Sequence, residues 1–158
     1  MSHPLFAPEI RLLLENDDRA GMAELCEALH PATVAETLAH EFTPEEAWKV
    51  ISQTNIANQA AIFEYFPLDW QVEMVGETVQ PHVARLIEEM SSDDRADLLR
   101  RLSPPVAEAL LRLVDEADRK DIAQLVKYPE GTAGSVMTTD YAWLPADVTV
   151  AEALDRLR

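Results

Sequence analysis

Asp93, Asp94 and Asp97 are the residues of this chain whose types and spacing could do chemistry. Asp93 and Asp97 lie four apart, so on a helix both carboxylates share one face, about 5–6 Å apart at Cβ. There they could share or flank one hard divalent cation, which takes oxygen ligands and keeps several of its waters. The same residues also suit a helix start: Asp in a first turn is favoured by the helix dipole, and Ser91 with Asp94 has the spacing of a capping box. Type and spacing leave both roles open. Glu45-Glu46, Glu88-Glu89 and Asp115-Glu116 share the composition without a motif and read as solvated faces. Asp17-Asp18 reads as a helix-start signal.

Other chemistries have less to stand on. His3, His30, His40 and His82 have no spacing that puts two imidazoles on one helix face. Cys26 is the single cysteine, which excludes an intrachain disulfide and a Cys-built zinc site; among Met22, Leu25 and Leu29 it fills core space. Trp48, Phe63, Tyr65, Phe66 and Trp70 follow helical spacing and read as packing residues. There is no Gly-rich loop before a Lys-Ser/Thr pair, no nucleophile elbow and no Ser/His/Asp order, so an enzyme has no support. With 29 acidic against 13 basic residues in 158, the net charge of −16 excludes a nucleic-acid binder driven by phosphate neutralisation. A hydrophobic content of 47% still predicts a folded core rather than an acidic disordered tail. Neither a signal peptide nor a membrane span is expected, for want of a basic flank with an apolar core or of any apolar run of about 18 residues.

The elements that must position the aspartates are short helices. Glycine is rare, and prolines stand at boundaries, where a first helical turn tolerates the missing N–H. Starts recur about every 12 residues, at His30-Pro31, Thr43-Pro44, Asn55, Pro67, Pro81, Ser91, Ser103-Pro104 and Asp115, each followed by apolar residues at helical spacing. Helices this short are marginal alone and must bury a stripe against neighbours. The predicted fold is therefore all-α: a right-handed α-solenoid of about ten short helices, with pairs repeating about every 24–25 residues.

The pattern changes after Tyr128. Two of the four glycines fall in Tyr128-Pro129-Glu130-Gly131-Thr132-Ala133-Gly134-Ser135, which reads as a hinge or linker. Beyond it, Tyr141-Ala142-Trp143-Leu144 could be a short strand, and Thr149 with Glu152 forms a capping box opening a helix through Ala153, Leu154 and Leu157. One strand and one helix cannot close a core, so an incomplete unit of a longer protein is expected there. The expected organisation is a helical domain at 1–128, a linker at 129–135 and a truncated α/β segment at 136–158.

The acidic helices, the stretch Met90-Ser91-Ser92-Asp93-Asp94-Arg95-Ala96-Asp97-Leu98-Leu99, and Tyr128 to Thr138 together resemble the N-terminal cytosolic region of the MgtE family of magnesium transporters and channels. The tail, with Met137-Thr138 and Asp147-Val148-Thr149-Val150-Ala151-Glu152-Ala153-Leu154, is similar to the opening of a CBS domain. The resemblance implies a regulatory module on the cytoplasmic side of a membrane, below a dimeric pore. Its partners would be its own CBS domains and the transmembrane domain, in a homodimer, with Mg²⁺ bound at acidic interfaces favouring the closed pore. It also implies Asp93 and Asp97, with Asp94 as neighbour, as metal ligands. The competing reading is an acidic helical-repeat scaffold like the middle region of flagellar motor switch proteins, against which the CBS-like tail speaks.

Overall fold

The computed structural model describes residues 6–76, 81–129, 131–137 and 143–156. Among them the chain forms eleven α-helices and one 3-10 turn, with no strand: α1 (Ala7–Glu15), α2 (Arg19–Ala28), α3 (Pro31–Glu41), α4 (Pro44–Ile51), α5 (Ile56–Phe63), α6 (Leu68–Val75), α7 (Pro81–Glu89), α8 (Ser92–Arg101), α9 (Pro104–Leu113), α10 (Glu116–Leu125), the turn Ala133–Val136, and α11 (Val150–Arg156). Helix starts follow the local chemistry. Prolines occupy the first turn of α1, α3, α4 and α9. Thr43 and Glu46 close a full capping box on α4, with the Glu46 N–H donating to Thr43 Oγ1 (3.3 Å) and the Thr43 N–H to Glu46 Oε2 (2.9 Å). Asp18 caps α2 through the Gly21 N–H, so the Asp17-Asp18 signal is a helix start.

The first ten helices stack in two rows. Odd-numbered helices pack on one another in order from α1 to α9, even-numbered ones from α2 to α10, and α1–α2, α3–α4 and α4–α5 contacts tie the rows together. This is the all-α short-helix solenoid expected from the sequence. One continuous core runs between the rows, with Ile10, Met22, Leu38, Ile51, Ile62, Phe63, Leu86, Leu98 and Leu110 fully enclosed. Each such side chain contributes about 1.5–3 kcal/mol relative to exposure, which is what holds helices too short to persist alone. Cys26 is buried in this core, and burial pushes its thiol up to about 11, so it stays protonated and inert. Trp48, Phe63, Phe66 and Trp70 pack in a chain of ring contacts at 5.9–6.4 Å. Tyr65 departs from its expected packing role: it is exposed and meets the His30 ring edge-to-face at 6.2 Å.

A polar device recurs through the stack. Gln71 Nε2 donates to the carbonyls of Phe66 (2.9 Å) and Glu64 (3.3 Å), beyond the end of α5. Arg95, 24 residues later, donates through Nη2 to Met90 (2.7 Å) and Glu88 (3.0 Å) at the end of α7, and Arg119, after another 24, to Val114 (2.8 Å) at the end of α9. The last carbonyls of a helix have no partner within it, so a long polar side chain from the following helix supplies one. Helix starts are served similarly: Glu64 Oε1 accepts from the Ser91 N–H ahead of α8, and Glu88 Oε1 from the Asp115 N–H (3.0 Å) ahead of α10, again 24 residues apart. One repeat before Ser91 the chain has Pro67, which carries no N–H to donate.

The segment after α10 is folded onto the stack. The turn Ala133–Val136 packs on α8, Ser135 is buried, and its hydroxyl donates to the Thr132 carbonyl (2.9 Å). The Tyr128 ring lies so close over Gly134 that a Cβ there would overlap it, and Gly131 adopts φ +79°, a conformation natural to glycine. The two glycines of the expected linker are thus needed for a close approach and a turn. Beyond it, Trp143 and Leu144 carry no regular structure, while Thr138, Tyr141, Ala142 and Leu157 lie outside the described residues; the proposed strand therefore gains nothing from its described half. The expected capping box is present: Thr149 N–H and Oγ1 both donate to Glu152 Oε2 at 2.8 Å, and the Glu152 N–H returns to Thr149 Oγ1 (3.4 Å). Trp143, Val150 and Leu154 are 71%, 78% and 54% exposed.

Candidate functional site

The three aspartates stand where their spacing put them, on the first two turns of α8. They do not form one equivalent row. Asp97 is ion-paired with Arg100 three residues on, and Arg100 Nη2 also donates to the carbonyls of Leu125 (2.8 Å) and Tyr128 (3.3 Å). A cleft of about 260 Å³ beside it is lined by Leu68, Asp97, Arg100 and Arg101, so cationic arms already face this carboxylate. Asp94 accepts from Ser91 Oγ (2.9 Å), but Ser91 makes no side-chain bond to the backbone of the first turn. The capping-box reading of that pair is thus half right: the hydroxyl is spent on the carboxylate. Among the described residues no ion pair reaches Asp93 or Asp94.

Glu64 joins this group from the end of α5. Its carboxylate takes the Ser91 N–H while Ser91 Oγ holds Asp94, so one serine links two acids from different helices. Burial pushes the Glu64 carboxyl above its ordinary value, with the charges of Asp94 and Asp93 adding to the rise and the Ser91 hydrogen bonds opposing it. Burial likewise raises Asp94, with Asp93 and Asp97 adding, against the Ser91 bond. The group is therefore a half-buried cluster of like charges in which ionisation is disfavoured. No three Asp, Glu, His or Cys side chains among the described residues converge as a metal cage, so an ion here would keep water or draw ligands from elsewhere.

Glu64 carries no mark in the sequence, because it reaches Ser91 across 27 residues of the stack. Arg95 and Gln71 could have been found: both are polar residues at positions where helical spacing calls for core, and each is 4% exposed. His30 caps α3 by accepting the Ala32 N–H at Nδ1 (3.2 Å), and His82 packs edge-on against Trp48.

The family model described as "MgtE intracellular N domain" matches residues 29–131, from the start of α3 to the Gly131 turn. The chain belongs to the MgtE N domain family. Two curated relatives are named magnesium transporter MgtE: that of Thermus thermophilus is 29% identical over 155 residues, covering 96% of this chain and 34% of its own length. That of Bacillus subtilis is 26% identical over 130 residues, covering 75% of this chain and 29% of its own length. This MgtE N domain thus spans about a third of the relatives it matches. A crystal structure of the cytosolic domain of the Mg²⁺ channel MgtE in complex with ATP superposes with a TM-score of 0.82 at 28% identity, covering 96% of this chain and 62% of that one. The soluble part of a magnesium transporter gives 0.83 at 23% identity, covering 96% and 59%, and supports the fold alone. Both similarities extend past the 29–131 match to nearly the whole chain. No helix among the described residues is long and apolar enough to cross a membrane.

Proposed function

We propose that this MgtE N domain is the cytosolic, Mg²⁺-sensing part of a magnesium transporter or channel, and that Mg²⁺ on its acidic face favours the closed pore. The observation that carries the reading is the acidic cluster at the start of α8, where Glu64 and Asp94 are held half-buried beside Asp93 and, among the described residues, no basic side chain is ion-paired with any of the three. Hard oxygen donors in such a group suit Mg²⁺, which would be bound with part of its water retained. Asp93, with Asp94 and the paired Asp97, would be its ligands, and an acidic neighbouring domain would supply the rest. Between two acidic surfaces the ion removes a repulsion that otherwise keeps them apart, so high Mg²⁺ compacts the assembly and low Mg²⁺ loosens it.

The division into a helical domain at 1–128, a connector at 129–135 and the opening of a CBS domain at 136–158 belongs to the same proposal. The exposed Trp143, Val150 and Leu154 support it, since they would be covered by the remainder of such a domain. The partners are then the protein's own CBS domains and pore domain, in a homodimer, and no catalytic step is assigned to the chain. Small-angle scattering of the whole cytosolic region tests the reading: its radius of gyration should fall as Mg²⁺ rises to about 20 mM, well into the range of weak oxygen-ligand sites. A radius unchanged by Mg²⁺ at constant ionic strength would sink it.

A further inference from the structure

Helix α8 carries two guanidinium clamps of one design. Arg95 gives Nη2 to the carbonyls of Glu88 (3.0 Å) and Met90 (2.7 Å) at the end of α7, and Nη1 to Asp118. Arg100 gives Nη2 to the carbonyls of Leu125 (2.8 Å) and Tyr128 (3.3 Å) at the end of α10, and Nη1 to Asp97. In both, Nε is buried without a hydrogen-bond partner, so the guanidinium is held by one carboxylate and two orphan carbonyls. The two differ in the counterion. That of Arg95 stands on α10, whereas that of Arg100 is Asp97, on α8 itself and one of the aspartates singled out by spacing. Among the described residues Asp97 is the one acid paired with Arg100. The Arg100 side chain is 19% exposed and that of Asp97 43%, so the carboxylate can be reached from outside while the guanidinium stays enclosed. The carbonyls that Arg100 holds lie where the connector closes on the stack: the Tyr128 ring covers Gly134, and the turn Ala133–Val136 rests on α8 with Ser135 buried.

We propose that Arg100 is a positioning residue that ties the charge of Asp97 to the hold of α8 on the connector. An anionic Asp97 keeps the guanidinium turned to the Leu125 and Tyr128 carbonyls. A cation that takes the carboxylate leaves Arg100 with neutral acceptors and repels it, so the hold loosens. Coupling between two sites is reciprocal, so Arg100 in turn competes with the cation and raises the concentration at which Asp97 is occupied. This competition rests on the function proposed above; the clamp itself does not.

Native-state hydrogen exchange of this chain without Mg²⁺ tests the clamp. Asp97→Asn removes the charge and keeps the shape. It should speed exchange of the Ser135 amide, which is bonded to the Thr132 carbonyl within the turn, by about threefold or more, as a local opening. Asp93→Asn, on the same helix and without an ion pair to Arg100, should leave that rate as it is. In an Arg100→Met background Asp97→Asn should have no further effect, the mark of two groups that act as one. A Ser135 amide indifferent to Asp97→Asn, or an effect that persists in Arg100→Met, overturns the clamp. Scattering of the whole cytosolic region with MgCl₂ tests the competition: Arg100→Gln should bring half of the compaction at about threefold lower Mg²⁺ or less. Arg101→Gln, exposed in the same cleft, should shift it by less. No shift in Arg100→Gln, or an equal one in Arg101→Gln, overturns the competition. A wild-type radius that ignores Mg²⁺ removes the proposed function and the competition together, and the exchange cycle decides the clamp by itself.

Discussion

The α5–α6–α8 corner and the α7–α8–α10 corner are built from the same parts and differ in one residue's charge. Each has a glutamate receiving the backbone N–H at the start of a later helix, Glu64 from Ser91 and Glu88 from Asp115. Each has a long polar side chain closing the carbonyls of a finished helix, Gln71 or Arg95. Each has an aspartate one turn into the later helix, Asp94 or Asp118. At the later corner the polar side chain is an arginine, and Asp118 is paired; at the earlier it is a glutamine, and Asp94 is left among acids. The backbone task is met either way. What the exchange alters is whether the corner carries its own cation.

Removing the cation from the later corner should have the largest effect. Arg95→Met strips the donors from two carbonyls and leaves the half-exposed Asp118 unpaired, an expected loss of about 2–4 kcal/mol in urea unfolding, since each stranded buried polar group costs about 1–3 kcal/mol. Arg95→Gln sharpens the comparison by copying the earlier corner. It keeps the carbonyl bonds and should cost about 1–3 kcal/mol, the penalty of a lost charge-assisted bond. Equal losses for Arg95→Gln and Arg95→Met would break the claim that backbone closure and charge are separate tasks.

Two smaller changes examine how the acids are used. Thr43→Ala removes a complete capping box and should cost about 1 kcal/mol. Ser91→Ala, whose hydroxyl is spent on Asp94, should cost under about half of that in the same chemical-denaturation series. Asp94→Asn should stabilise the protein at pH 7 by a few tenths of a kcal/mol, the scale of partly screened charge pairs. Its sign follows from linkage. A carboxyl whose folded value lies above its ordinary 3.8 binds protons more readily in the folded state, so its penalty is full above the folded value and fades as pH falls towards the unfolded one. The advantage of Asp94→Asn should therefore shrink on going from pH 7 to about pH 4 in paired urea titrations; an advantage constant across that range would contradict the raised carboxyl.

What the sequence made legible was local. Proline in a first turn, Thr43 with Glu46, Thr149 with Glu152 and the 12-residue rhythm concern neighbours within a few residues, and the structure has them as expected. The placement of Asp93 and Asp97 on one helix was equally local. Their inequality was not, although the Asp97–Arg100 pair lies at a spacing that helices favour. Glu64 reaches a partner that only the stacking register brings near, and no periodicity within one helix points to it. Gln71 does carry a mark, a polar residue in an apolar position that recurs 24 residues on at Arg95, visible once the repeats are laid over one another.

The closure of Tyr128 over Gly134, with Arg100 gripping the Tyr128 carbonyl, pins the turn after α10 to the stack. The helix that bears the acidic residues is also the one on which the turn Ala133–Val136 rests. A tilt of α8 by a few degrees would swing whatever is attached further along by a distance that grows with its length, as a tiller moves a rudder.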